Sequence, residues 1–233
     1  MRRRGLFLGV GGVAFALGIG LLAFGAHNVF FRDDGPPVSD APLLAVSDFL
    51  TPTPVSTRSP FSPTPTPLPP LGDEPYDLII DKIGVDAPVS AYGLDEKAVP
   101  EVPTGPDAAS VVAWYKFTAK PGVGSNAVFA GHVTWFGAAV FYYLPDVDLG
   151  DEIKLRGLDG TELVYRVSNV FRVVANDPNS RLLMSATPSD ILTIITCDGV
   201  FTDTGDPTFG GEYDHRLVIR ADLMSVTHGT GAG

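Results

Sequence analysis

Cysteine is nearly absent from the sequence: Cys197 is the only one in 233 residues. No intramolecular disulfide can form, and an unpaired thiol in an exported chain is either core packing or a reactive group. Basic charge is also scarce, with 16 Lys and Arg against 27 Asp and Glu and a formal net charge of −11. That balance excludes a general nucleic-acid surface, which needs clustered cations. Helical periodicity is sparse, and 21 prolines and 26 glycines suit a β-rich fold with many turns better than a helical bundle. No glycine pattern that cradles phosphate is present, so no nucleotide cofactor is expected. The acids Asp203, Asp206, Glu212 and Asp214 are too irregularly spaced for a calcium loop, so no metal is expected either.

What is present divides into four stretches. Arg2, Arg3 and Arg4 precede an uncharged apolar run over residues 5–26, and Asp33 and Asp34 follow it. A run of that length crosses a bilayer as one helix and exceeds the apolar region of a cleaved signal peptide. The arginines on its N-terminal side put residues 1–31 down as a cytoplasmic cluster and transmembrane anchor, with everything downstream outside the cell. Residues 32–72 are rich in Pro, Thr and Ser and read as an extended, solvated spacer, with Thr-Pro alternation also suited to a glycosylated stalk. The globular domain is assigned to 73–226, and 227–233 to a flexible tail.

Within the domain, short apolar runs recur between Gly, Pro, Asp and Asn. They fall at 78–83, 87–91, 127–130, 152–155, 162–171, 191–196 and 217–219. The longest, 162–171, alternates in part with period two, as a half-buried strand does, and Asp159-Gly160 before it signals a hairpin. About eight strands of this kind predict an all-β, closed or nearly closed barrel, with short helical turns near 140–144 and 189–190. Three residues with useful chemistry stand at strand ends: His132 after 127–130, Cys197 after 191–196, and Arg216 before 217–219. A thiolate nucleophile, an imidazole acid/base and a permanently charged guanidinium make a complete acyl-transfer set if they meet in space. Alone, each has a plainer reading as a core thiol, a turn histidine or a surface arginine. Strand alternation sends neighbours to opposite faces, so His215 is expected to face away from Arg216. Asp198 is expected to point outward, away from the thiol.

Thr193-Ile194-Ile195-Thr196-Cys197, with Gly131-His132 upstream and Arg216 opening the last strand, resembles the sortase family. The resemblance extends through residues 78–89, Val112-Ala113-Trp114-Tyr115 and 121–127, and so covers nearly all of 76–222. It implies an eight-stranded sortase barrel, class F-like with classes E and D behind it. Cys197 would be the nucleophile, His132 the general acid/base, and Arg216 the group that stabilises oxyanion and substrate. The implied reaction cleaves a C-terminal sorting signal of the Leu-Pro-x-Thr-Gly kind and passes the acyl group from a thioacyl enzyme to an amine. That amine would belong to a cell-wall precursor or a pilin lysine, and the partners would be surface or pilin proteins bearing the signal. Residues 175–190 would be the loop that helps hold the signal, and 198–215 the loop that closes the groove. A cysteine L,D-transpeptidase is disfavoured because its Ser-His-Gly-Cys context is missing. The competing readings are a sortase-like peptidase acting mainly as a hydrolase and an anchored binding module without catalysis.

Overall fold

The structure, a computed structural model, describes residues 35–49 and 76–229. The apolar run at 5–26, the Thr-Pro repeat and the last four residues lie outside the described residues. Among the described residues no helix is long and apolar enough to cross a membrane.

Eight strands close into a barrel: β1 (Tyr76–Ile80), β2 (Val85–Tyr92), β3 (Val112–Tyr115), β4 (Asn126–Ala130), β5 (Glu152–Gly157), β6 (Glu162–Val174), β7 (Ile191–Asp206) and β8 (Gly210–Thr227), in the order β1-β2-β3-β4-β7-β8-β6-β5. Closure pairs every strand on both sides around the core, although β6 outruns β5 beyond Val167. The seven runs read from apolar pattern all fall within strands or their immediate turns, and β5 and β6 join through the Asp159-Gly160 turn, where Gly157 N–H donates to Thr161 O at 2.8 Å. Among the described residues helical structure is confined to short 3₁₀ turns, Asp81–Ile83, Leu144–Asp146 and Ser180–Met184 among them.

The barrel interior takes Leu78, Ile80, Phe129, Ile153, Leu155, Leu163, Tyr165, Leu192 and Ile194, all essentially sealed from solvent. Along β7, Leu192 and Ile194 point into this core. Ile195 faces the other way and packs with Tyr115, Val128 and Ala130 of β3 and β4. The outer face of β3, β4 and β7 is therefore a second packed surface, and the site is built on it.

The connection between β6 and β7 docks on this outer face through Met184 and through a polar lock made by one side chain. Asn126 is buried at the start of β4, and its Nδ2 donates to Leu183 O (2.9 Å) and Ser185 O (3.0 Å) while its Oδ1 accepts from Thr193 Oγ1 (2.7 Å). One amide thus ties β4, β7 and the Ser180–Met184 turn together. Asn126→Ala leaves two carbonyls and a hydroxyl without partners in a dry place, at a cost of about 1–3 kcal/mol. A urea titration is expected to show that loss as a lower midpoint, and an unchanged midpoint would mean the connection is held elsewhere.

The stretch read as a spacer, 32–72, is described only over 35–49, and there it lies on the barrel. Val46 is fully buried with Phe171, Val173, Leu183 and Val218, and Leu43 bridges to Arg172 of β6 in parallel. A composition of Pro, Ser and Ala looks solvated, but two or three apolar residues suffice to dock a short segment.

Candidate active site

β7 lies between β4 and β8, and its register with each decides which side chains share a neighbourhood. On the β8 side the pairing is antiparallel and sets Cys197 directly opposite Arg216. Directly opposed residues on an antiparallel ladder project to the same face. On the β4 side the pairing is parallel and aligns Ala130 with Ile195. Thr196 Oγ1 donates to Gly131 O at 2.8 Å and carries the alignment one residue further. His132 follows directly on that tied carbonyl, and Arg216 stands on the opposite flank of β7. A side chain at Gly131 would collide with Phe141 and Val140, at 2.7 and 2.8 Å from its Cβ, so the close approach that delivers His132 requires glycine.

Each of the three is held. His132 Nε2 lies 2.8 Å from Pro103 O. A carbonyl only accepts, so Nε2 carries the proton, and in a neutral ring the lone pair sits on Nδ1. The ring stacks on Trp135 (4.8 Å between centroids, 27° between planes), and the Trp135 indole donates to Gly105 O at 3.0 Å. Phe209 lies 6.4 Å from His132 and 6.1 Å from Trp135. The Arg216 guanidinium folds onto its own strand, donating from Nη1 to Tyr213 O and His215 O, each at 2.9 Å, and from Nη2 to Glu212 Oε1 at 3.3 Å.

Phe209 arrives from a direction the sequence reading did not anticipate. Residues 198–215 are not an open loop: β7 and β8 continue as a hairpin arm, with Phe201 paired to Tyr213, Thr202 to Glu212 and Asp203 to Gly211. A bulge after Asp198 bends the arm, and Gly199 (φ +87°) makes it possible because a Cβ there would strike Asp214. The acids of this stretch shape the hairpin. Asp206 accepts the Thr208 and Phe209 amides, Asp203 the Gly205 amide, and Asp214 the Val200 amide together with His215 Nδ1.

The thiol environment follows from these neighbours. Cys197 is partly buried at the end of the packed outer face, and burial pushes its thiol above the ordinary value. Arg216 pulls it back down, while Glu212 and Asp198 push it up. Tyr115 is itself pushed up by burial and by the field of Cys197, and Tyr213, whose hydroxyl meets Thr134 Oγ1 at 3.1 Å, also feels the thiol. Asp198, as expected, faces away from the thiol. It does not reach solvent, however: it is buried against Arg172 of β6 (2.5 Å) and accepts the Ser39 amide (3.0 Å). His215 is paired with Asp198 across the ladder and so faces away from Arg216.

Glu212, Trp135, Phe209, Tyr115 and Tyr213 join the neighbourhood without having been singled out from sequence. Tyr115 had a signal, since it stands within a stretch that looked familial. The others are brought in by the hairpin arm or by a turn, which no local pattern announces.

With the thiol raised, the neutral form dominates at neutral pH, and reaction with iodoacetamide should climb only as the solution turns alkaline. Arg216→Ala removes the cation that favours the thiolate, so the alkylation midpoint should move to higher pH. Cys197 is the only thiol, so the whole signal belongs to it. An unmoved midpoint would place the guanidinium out of range.

The family model for the sortase domain matches residues 78–224. No curated protein sequence matches the chain. Among solved structures it is similar to sortase A of Listeria monocytogenes (19% identity, TM-score 0.49, 66% of this chain and 88% of that one). It is also similar to a lid mutant of sortase A from Corynebacterium diphtheriae (24%, 0.48, 66% and 71%) and a mutant of sortase E from Streptomyces avermitilis (22%, 0.47, 66% and 91%). With a domain match running from β1 into β8, the chain belongs to the sortase family, the cysteine transpeptidases.

Proposed function

We propose that Cys197 attacks the scissile carbonyl of a C-terminal sorting signal of the Leu-Pro-x-Thr-Gly kind and passes the acyl group to an amine of a cell-wall precursor or a pilin. The observation that carries this reading is the register of β7, which sets the one thiol opposite Arg216, while Thr196 beside it is tied to the carbonyl just before His132. In the first half-reaction the Cys197 thiol gives its proton to His132 Nδ1, and the thiolate sulfur bonds to the carbonyl carbon of the threonine. Negative charge builds on the carbonyl oxygen, which the guanidinium is suited to stabilise once it leaves Glu212. The C–N bond then breaks, and the departing amine takes a proton from the imidazole, which exchanges it through Nδ1 because Nε2 is committed to Pro103 O. In the second half the incoming amine gives its proton back to the imidazole, attacks the thioester carbon and releases the thiolate.

The turn Ser180–Met184 stands beside the nucleophile strand, and Met184 packs with Tyr115 and Ile195. In this reading it is one wall for the signal. The aromatic group of Trp135 and Phe209 against His132 is the other.

Residues 5–26 would hold the chain in the cell membrane as a single pass, N-terminus inside and catalytic domain outside, where signal-bearing proteins and wall precursors are met.

Incubating the full chain in detergent with sorting-motif peptides and an amine tests the proposal by intact mass. The wild type should show an adduct on Cys197 equal to the peptide minus its leaving fragment, discharged when amine is added. Cys197→Ala should form none. His132→Ala should turn over about 10²–10⁴-fold more slowly, and Arg216→Ala about 10²–10³-fold more slowly. Turnover that survives Cys197→Ala would refute the reading, and discharge by water alone would make the enzyme a hydrolase.

A further inference from the structure

The segment 36–49 ends one residue away from the chemistry. β5 covers β6 only as far as Arg166, with further backbone bonds at Val167, so the second half of β6 has a free edge. Residues 42–44 fill it: Arg172 N–H donates to Pro42 O (2.8 Å) and Leu44 N–H to Arg172 O (2.9 Å). Pro42 lacks an N–H, which is harmless where only its carbonyl is used. Three residues upstream, the Ser39 amide donates to Asp198 Oδ1 (3.0 Å), and Asp198 Oδ2 accepts Arg172 Nε (2.5 Å). Ser39 and Asp198 are each over nine-tenths buried. A carboxylate removed from water is tolerable only if paired and fully hydrogen-bonded, and here half of its partners come from a segment outside the barrel.

We propose that residues 36–49 are a working part of the catalytic domain, a strap that closes the free edge of β6 and, through Ser39, Asp198 and Arg172, positions the end of β7 that carries Cys197. The inference rests on Cys197 being the nucleophile. Asp198 and Arg172 are positioning residues, since they lie on the face of the sheet away from the thiol. The strap anchors at its far end through Val46 in the pocket of Phe171, Val173, Leu183 and Val218. That pocket includes Leu183 of the connection that precedes the nucleophile strand, so the strap braces the site from below and from the side.

The pair also contributes to the field at the thiol. Cys197 is faced by Arg216, Glu212 and Tyr213 of β8 and Tyr115 of β3, with Asp198 next to it in the chain. Asp198 in turn is faced by Arg172 of β6, the Ser39 amide and His215 of β8. Asp198→Asn removes a negative charge and leaves Arg172 uncompensated, and both changes favour the thiolate. Arg172→Met leaves the carboxylate unneutralised and disfavours it.

The test uses the full chain in detergent and reads Cys197 directly with iodoacetamide, so it needs no sorting peptide and stands apart from the question of substrate. The alkylation midpoint should fall to lower pH in Asp198→Asn, rise in Arg172→Met and return toward wild type in the double variant. Midpoints that stay together, or move in the same direction, would overturn the proposal, because a general loss of packing has no reason to give opposite signs. Ser39→Pro deletes the amide donor, together with the hydroxyl that accepts the Ala41 amide, and leaves every barrel residue in place. It should speed amide exchange about tenfold or more across 36–49 and, in step, across 195–199. Faster exchange in 36–49 alone, with 195–199 unchanged, would reduce the strap to a passive tail.

Discussion

The register of one strand governs the arrangement of this enzyme. β7 is paired on both sides, antiparallel to β8 and parallel to β4, and those two ladders determine which residues flank the nucleophile. A slip of one residue against either neighbour would turn a side chain to the opposite face and dissolve the site. The barrel prevents such a slip. Leu192 and Ile194 are locked into the main core while Ile195 is locked into the outer one, so both faces of β7 are specified before Cys197 is reached. Asn126 adds a polar lock between β4, β7 and the preceding connection.

Charge around the thiol is balanced between opposing groups. Burial and two carboxylates hold Cys197 protonated, and Arg216 favours the thiolate. Arg216 is itself shared with Glu212, and Asp198 with Arg172. The resting site is thus a neutral thiol ringed by paired ions. In the proposed reaction those pairs are redistributed when a substrate carbonyl arrives, and the exposed Glu212 carboxylate is the easiest of them to release.

How much of this was legible depended on the range of the cause. Cys197, His132 and Arg216 stood out because each follows or precedes a strand with a strong apolar signature, and the ladder that sets Cys197 opposite Arg216 joins two of them. The long strand β6 announced itself by alternation and by Asp159-Gly160. β3, four residues of Val-Ala-Trp-Tyr, is too short to show a period and was legible only as a familiar stretch. The hairpin arm read as a loop because its residues are Gly, Asp and Thr, yet strand pairing there is made by backbone groups that composition does not display. The strap was hidden for a related reason: Val46 and Ser39 dock onto residues more than a hundred positions away, and nothing local distinguishes them from the spacer around them. The contact of Trp135 and Phe209 with His132 is long-range in the same way.

The account is tested most directly by a structure of the protein with a sorting-motif peptide trapped on its thiol as a disulfide. It predicts the peptide on the outer face of β4, β7 and β8, its carbonyl oxygen hydrogen-bonded by an Arg216 that has left Glu212, and His132 Nδ1 turned toward the leaving-group side. A peptide bound away from that face, or an Arg216 still on Glu212 with no contact to the carbonyl, would contradict it.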